Sequence, residues 1–322
     1  MTDPQVRTNT DEAVCLHCAA VFFDLCFRCS RYCASSRYVS GGHRACTRCA
    51  EQFESCPDCG TLLRGGRSCD CCARRPHVWN YSYKPDPRFH GKGPLYLGME
   101  LEIIVPDYRY GECVSVAGNY LGHLGYLKQD SSIRPTGFEL VTHPMSYRHA
   151  IDHFPWPLLE ALEDLDCETD TSVGLHVHAS RAGFDSPAHI YRWMKLLYRN
   201  ESAVSTIARR RSHYAPFDRA ARARVKDTSK GPQHALGLDR YQAINPYPRQ
   251  TLELRVFASS LNAQRVQAAL AFTAASIHYT RTLRVADVRA GGWEWARFAA
   301  WVADHPDYQP LLAEMEDLAC AC

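Results

Sequence analysis

The stretch LGMELEI, residues 97–103, sets Glu100 and Glu102 two positions apart among apolar neighbours. Successive side chains of a β-strand point to opposite faces. The two carboxylates therefore share one face, and Met99, Leu101 and Ile103 take the other. Taken alone, such a strand is most often half solvated. The construction recurs. In VGLHVHAS, residues 173–180, His176 and His178 share a face opposite Leu175, Val177 and Ala179. In TLELRVF, residues 251–257, Glu253 and Arg255 share a face opposite Leu252, Leu254 and Val256. Phe138-Glu139-Leu140 puts one more carboxylate on a strand between apolar residues. Four strands thus each offer an apolar face and a face carrying carboxylate, imidazole or guanidinium.

If the four belong to one sheet, their polar faces converge on a cleft. Carboxylates facing each other at low dielectric repel strongly, and bound divalent cations remove that cost. A carboxylate-rich site with imidazole suits Mg²⁺ or Mn²⁺ better than Zn²⁺. The added Arg255 points to a polyphosphate held by those metals.

Working outward, residues 96–105, 125–129, 138–142, 174–179, 241–245 and 251–257 read as strands. Ser186 and Pro187 offer an N-cap and a first-turn proline for one long helix through about residue 208. Further helices read over 262–284, 293–305 and 308–318. Strict β-α-β alternation is absent, so the expected class is α+β, a largely antiparallel sheet flanked by helices.

The rest of the composition separates an N-terminal region. Of 16 cysteines in 322 residues, twelve fall between Cys15 and Cys72. Five C-x-x-C pairs stand there: Cys15/Cys18, Cys26/Cys29, Cys46/Cys49, Cys56/Cys59 and Cys69/Cys72. Each such turn points two thiolates at one ion, and two turns complete a tetrahedral Zn²⁺ site. Several pairings are open. Cys26/Cys29 with Cys46/Cys49, then Cys56/Cys59 with Cys69/Cys72, makes two consecutive ribbons. Cys15/Cys18 with Cys33 and His43 makes a third site. Joining the pairs in order, or interleaving them, is equally legal. Two or three structural zinc ions follow, and metal supplies folding free energy that so small an apolar core lacks. The expected organisation is a zinc-ribbon-like domain over 1–75, an aromatic connector over 76–94 and a catalytic domain over 95–322. The zinc region fits a structural or docking role, with nucleic-acid contact the less favoured option.

The 37 Lys+Arg against 35 Asp+Glu give a net charge of +2, which selects neither a nucleic-acid nor a membrane partner. A hydrophobic share of 46% excludes wholesale disorder. The polar start lacks a secretory pattern, and no apolar run reaches a membrane span, so a reducing cytoplasm is expected. Cys113 and Cys167 read as inert thiols, and Cys320 and Cys322 as a tail. There is no P-loop, H-E-x-x-H, G-x-G-x-x-G after a strand, or G-x-S-x-G elbow.

GMELE (98–102), DSSIRPTGFELVTHP (130–144), GLHVHAS (174–180) and Asn245, with five residues between it and TLELR (251–255), resemble the amidoligase family. That family lies within the carboxylate–amine ligase superfamily, which includes glutamine synthetase and glutamate–cysteine ligase. HVWNYSYKPDPRFHG (77–91) resembles the lead-in of bacterial and phage members, some with Cys-rich ribbons. The likeness spans residues 77–285 and leaves out the C-terminal helices. It implies a glutamine-synthetase-like sheet curved into a funnel, with ATP and Mg²⁺ or Mn²⁺ inside. It implies ATP-dependent amide formation through an acyl phosphate. Glu100, Glu102, Glu139, His178 and Glu253 would be metal ligands, and His176 a phosphate or cofactor contact. Arg255 and Arg211 would bind phosphate, Asn245 would contact substrate or nucleotide, and Asp130 would hold the amine. The family usually has Gly or Thr where this chain has Ala258-Ser259-Ser260, so the strand end departs from the pattern. A metal-dependent hydrolase on the same cluster and a non-catalytic zinc adaptor stay open as alternatives. The acid and amine also stay open among peptide or protein, cell-wall precursor, metabolite and modified nucleic acid. Oligomeric state is not legible.

Overall fold

The computed structural model describes residues 5–40, 43–55, 62–64 and 77–320. These fall into two compact units. One is drawn from Met1–Arg75 and Asn80–Pro87, the other from Pro76–Trp79 and Arg88–Cys322. Cys56, Cys59, Cys69 and Cys72 lie outside the described residues, and so does any metal pairing built on them.

The first unit is a string of short hairpins. β1 (Gln5–Arg7) pairs antiparallel with β2 (Ala13–Cys15), which leads into α1 (Leu16–Phe22). β3 (Asp24–Leu25) pairs with β4 (Tyr32–Cys33), and β5 (Ser36–Val39) with β6 (His43–Cys46), which runs into α2 (Thr47–Ala50). Among its described residues one buried cluster holds Cys26, Cys33, Val39, Ala45, Cys46, Cys49, Ala50 and Leu62, with Phe27 and Phe53 packed against it. Half of that cluster is cysteine, so it is a small apolar core, and in such units metal cross-links commonly add stability.

The second unit is built on a seven-stranded sheet. In chain order its elements are β7 (Val78–Trp79), β8 (Leu97–Ile104), α3 (Tyr110–Leu121), β9 (Gly125–Lys128), β10 (Gly137–Thr142), α4 (Tyr147–His153), α5 (Pro157–Glu163), β11 (Gly174–Ser180), α6 (Pro187–Arg199), α7 (Glu201–Ile207), α8 (Arg219–Ala223), α9 (Val225–Thr228), β12 (Ile244–Asn245), β13 (Thr251–Ala258), α10 (Ala263–Thr282), α11 (Val285–Arg289), α12 (Trp295–Ala303) and α13 (Gln309–Cys320). Strand order is β12-β13-β11-β8-β10-β9-β7. All neighbours are antiparallel except β7, which runs parallel to β9. The sheet is therefore mixed, and its parallel edge comes from a segment that reads as connector in the sequence.

One face of the sheet is apolar. Leu97, Met99, Leu101 and Ile103 of β8, Phe138 and Leu140 of β10, Leu175 and Val177 of β11, and Leu252 and Leu254 of β13 are buried in one core. Each fully buried Leu or Ile there contributes about 1.5–3 kcal/mol of transfer free energy. α10 packs on β11 and α3 on β9, with α5, α6 and α13 packed around those two helices.

Two helical expectations change. The single helix through residue 208 is two helices, α6 and α7, broken at Asn200. The Asn200 side chain donates to Leu196 O at 2.7 Å and to Trp293 O at 2.8 Å, a local alternative to the helical ladder. α3, α4 and α5 carry no strong sequence signal, and α3 is held by tertiary packing of Cys113, Val114, Ala117 and Leu121. Among the described residues no helix is long and apolar enough to cross a membrane.

Candidate active site

The polar face of the sheet gathers the side chains that alternate with the core residues. Strand register decides which of them meet. Glu102 of β8 stands opposite Glu139 of β10, and Glu139 stands opposite Lys128 of β9. Glu100 stands opposite His176 of β11. His178 stands opposite Glu253 of β13, and Glu253 opposite Asn245 of β12. A register shift in the β11–β13 ladder sets Arg255 and Val256 against the single residue His176, a β-bulge that re-aims the strand beside the cluster.

Three overlapping trios have ligand atoms within 4.8 Å of one another: Glu100, His178 and Glu253; Glu100, Glu139 and His176; Glu102, Asp130 and Glu139. His176 lies among three carboxylates, with Nδ1 3.5 Å from Glu100 and 3.7 Å from Glu253, and Nε2 3.7 Å from Glu102. His178 Nε2 is 3.4 Å from Glu100. Its other nitrogen, Nδ1, is 3.1 Å from Thr251 Oγ1. A hydrogen bond on one imidazole nitrogen sets the other free as a lone-pair donor. His176 Nδ1, His178 Nε2 and Arg255 Nε are buried and make no hydrogen bond. Buried polar atoms are rarely left orphaned: the two imidazole nitrogens could ligate a cation, whereas the Arg255 N–H would suit an anion.

Cationic groups border the carboxylates. Lys128 Nζ is 3.3 Å from Glu139, and Arg255 pairs with Glu253. Asn245 Nδ2 donates to Glu253 at 2.6 Å, and the Gly174 N–H donates to Glu102 at 2.6 Å. Arg210 is buried, donates to Phe257 O and Ser172 O at 3.4 Å, and adds positive potential at Glu102. Its guanidinium lies against residue 174, where a Cβ would come within 2.0 Å of Arg210 Nη1, so a side chain there would displace the end of Arg210.

The titration pattern follows. Burial alone would raise the Glu100 carboxyl, but His178 and His176 beside it outweigh burial and hold it well below the carboxylate range. Burial would also raise Glu253, and His178 again reverses the sign. Glu102 is raised, by burial. Burial, reinforced by the Glu100 charge, pushes Glu139 up to about 7. Burial opposes a charged His178, but the Glu100 carboxylate overrides it and pushes His178 up to about 9.

The structure therefore brings Glu100, Glu102, Glu139, His176, His178, Glu253, Arg255, Asn245 and Asp130 together. Asp130 stands with Glu102 and Glu139, while one of its oxygens accepts from Ser132 N and Oγ at 2.7 Å. Arg211 is exposed and makes none of these contacts. Its neighbour Arg210 fills the inward place, and Arg209 pairs with Glu314 and Asp317 of α13. Sequence reasoning missed Lys128, Arg210, Thr251 and the Gly174 N–H. Only Lys128 has a readable signal, its alternation with Leu127 on a short strand.

In the first unit, the Sγ atoms of Cys26, Cys29, Cys46 and Cys49 lie within 4.8 Å of one another. This matches one of the open pairings. Burial would raise the Cys26 thiol, but N–H groups of Cys46, Cys29 and Arg28 outweigh it and bring it down to about 6. A thiolate is thus available near neutral pH, the form that binds Zn²⁺. Among the described residues, no metal-ligating group joins Cys15 and Cys18 to Cys33 and His43. Cys33 Sγ donates to Asp24 O at 3.2 Å, and the His43 ring stacks on Phe27 at 4.7 Å. Cys15 instead caps α1, its Sγ accepting from Cys18 N at 3.3 Å.

No family model and no curated protein sequence matches the chain. A solved structure described as "GmaS/ADP complex-Conformation 1" is similar over 70% of this chain and 67% of that chain, with TM-score 0.41 and 16% identity. At that distance the likeness carries no weight for function, and the case rests on the side chains themselves.

Proposed function

We propose that the second unit is an ATP-dependent carboxylate–amine ligase working through an acyl phosphate, with Mg²⁺ or Mn²⁺ in the carboxylate/imidazole cluster. The carrying observation is the grouping of Glu100, Glu102, Glu139 and Glu253 with His176 and His178 on one sheet face, buried or half-buried, and of Asp130 beside them just past the end of β9. At about 4 Å and an effective dielectric of about 20, two like charges repel by about 4 kcal/mol. Five carboxylates therefore favour bound cations, because Lys128, Arg255 and Arg210 offset only part of their charge. Oxygen-rich donors with one or two imidazoles fit Mg²⁺ or Mn²⁺.

Divalent ions held there would neutralise the phosphates of a nucleotide and its transferring γ-phosphoryl group. Glu100 is ready to bind at neutral pH, being held ionised by its imidazole neighbours. Glu139 and His178 must first release protons. Arg255 extends from the same face and supplies a guanidinium for phosphate oxygens, and Asn245 fixes Glu253. In the reaction, an acid oxygen bonds to the γ-phosphorus as the bond to ADP breaks. An amine nitrogen then bonds to the acyl carbon, phosphate leaves, and the amine proton passes to a carboxylate such as Asp130. Arg255 and Arg210 favour this reading over a metal hydrolase, which needs no phosphate clamp. In the first unit, Zn²⁺ on Cys26, Cys29, Cys46 and Cys49 would be structural.

The test is to incubate the full chain with Mg²⁺, ATP and mixed acids and amines, measuring ADP, phosphate and new amides. Amine-dependent ADP release that vanishes in Glu100→Gln supports the reading. Product formation without ATP, or activity surviving Glu100→Gln, overturns it.

A further inference from the structure

Away from the carboxylate cluster, the second unit assembles five histidines from four chain segments. The His90 ring stacks on His149 at 5.5 Å between centroids, and His149 lies 4.6 Å from His153. His123 is 5.3 Å and His143 6.4 Å from His90. His149 and His153 are one turn apart on α4, so both project from the same helix face. Paired imidazoles at that spacing are a metal-chelating arrangement.

The frame around them is built rather than incidental. His90 N donates to Pro144 O, and Ser146 N donates back to His90 O, both at 2.9 Å. Ser146 then caps α4, its Oγ accepting from His149 N at 3.3 Å. Gly91 has φ +82°, and a Cβ there would sit 2.1 Å from Ser146 Oγ and 2.8 Å from His149 Cβ. The chain after His90 is thereby pressed against the first turn of α4. His90 Nε2 and His149 Nε2 are buried atoms without a hydrogen-bond partner. His153 and His123 are exposed, so the array opens to solvent.

We propose that His149 and His153, with His90 as third ligand, form a second site for a divalent transition ion such as Zn²⁺ or Ni²⁺. Imidazole nitrogen is the preferred donor for these ions, in its neutral form. The positive Arg88 lies toward His90 and His143, whereas Asp152 lies toward His149, so the ion belongs at the α4 end. Among the described residues no three of these nitrogens lie within 4.8 Å of one another. Binding therefore requires the rings to turn toward one another, and turning sacrifices no hydrogen bond at His90 Nε2 or His149 Nε2.

The test is titration of the full chain, dialysed free of loosely held zinc, with Ni²⁺ in excess Mg²⁺ added to compete for the carboxylate cluster of the proposed ligase site. The expected result is a Ni²⁺ equivalent whose affinity falls roughly 10-fold or more in His149→Gln/His153→Gln and persists in His178→Gln. Unchanged binding in the double variant, or loss in His178→Gln alone, overturns the proposal. A second measurement needs no variant. Ni²⁺ should shield His149 and His153 from diethyl pyrocarbonate, read by peptide mass spectrometry, and equal modification with and without Ni²⁺ also overturns it.

Discussion

Glu139 of β10 stands directly across the ladder from Glu102 of β8, two buried carboxylates facing one another on the same side of the sheet. Like charges in directly opposed strand positions destabilise a sheet. Asp130 adds a third carboxylate within 4.8 Å. Lys128, opposite Glu139 on its other side, offsets only part of the repulsion. Such an arrangement is costly without a cation, and Glu139 is raised further by its burial and by the Glu100 charge.

Replacing Glu139 by Gln should stabilise the metal-free protein at high pH while weakening Mg²⁺ binding. Burial raises Glu139 from 4.5 to about 7. Its contribution to stability is therefore fully present below the unfolded value and is lost as pH rises through the folded one. In EDTA, variant and parent should melt alike near pH 5 and the variant higher at pH 8. The gap should be on the order of 2–4 °C for each kcal/mol recovered. A lower melting temperature for the variant at pH 8 would contradict the electrostatic account.

Thr251→Val keeps side-chain volume and removes the hydroxyl 3.1 Å from His178 Nδ1. With that hydrogen bond gone, the ring loses its fixed orientation and tautomer. Mg²⁺ or Mn²⁺ affinity should fall about 10-fold or more while the circular dichroism spectrum is retained. Calorimetric titration showing parental affinity would mean that His178 needs no such support.

Arg210 and Arg211 are neighbours in sequence with opposite expectations. Arg210→Ala removes a buried guanidinium that bonds Phe257 O and Ser172 O and offsets the Glu102 charge. It should lower unfolding free energy by about 2–4 kcal/mol in urea. Arg211→Ala alters an exposed side chain and should change stability by no more than about 0.5 kcal/mol. Equal losses in the two variants would overturn the assignment.

Cys26→Ser removes a ligand from the Cys26, Cys29, Cys46 and Cys49 group. Zinc content, by elemental analysis, should fall by about one ion per chain, and the first unit should become protease-sensitive. Because the second unit has its own core, ADP formation should survive. Unchanged zinc content would show that the ion sits elsewhere.

The alternation of LGMELEI, GLHVHAS and TLELRVF determined by itself which side chains share a face, because strand periodicity is a local property of the backbone. The C-x-x-C spacing likewise set Cys26 beside Cys29 and Cys46 beside Cys49. Only tertiary structure decided which of them meet. Register set Glu139 against Glu102 and Lys128, and contact between two hairpins, with Phe27 N donating to Arg44 O, brought Cys46/Cys49 to Cys26/Cys29. Three consecutive arginines look alike in sequence, yet the turn after α7 sends Arg209 to α13, Arg210 inward and Arg211 to solvent. Val78–Trp79 became a sheet edge, and histidines from four distant segments became one array. These outcomes depend on contacts between residues far apart in the chain, and a period of two or three residues carries no information about which distant strand or helix comes alongside.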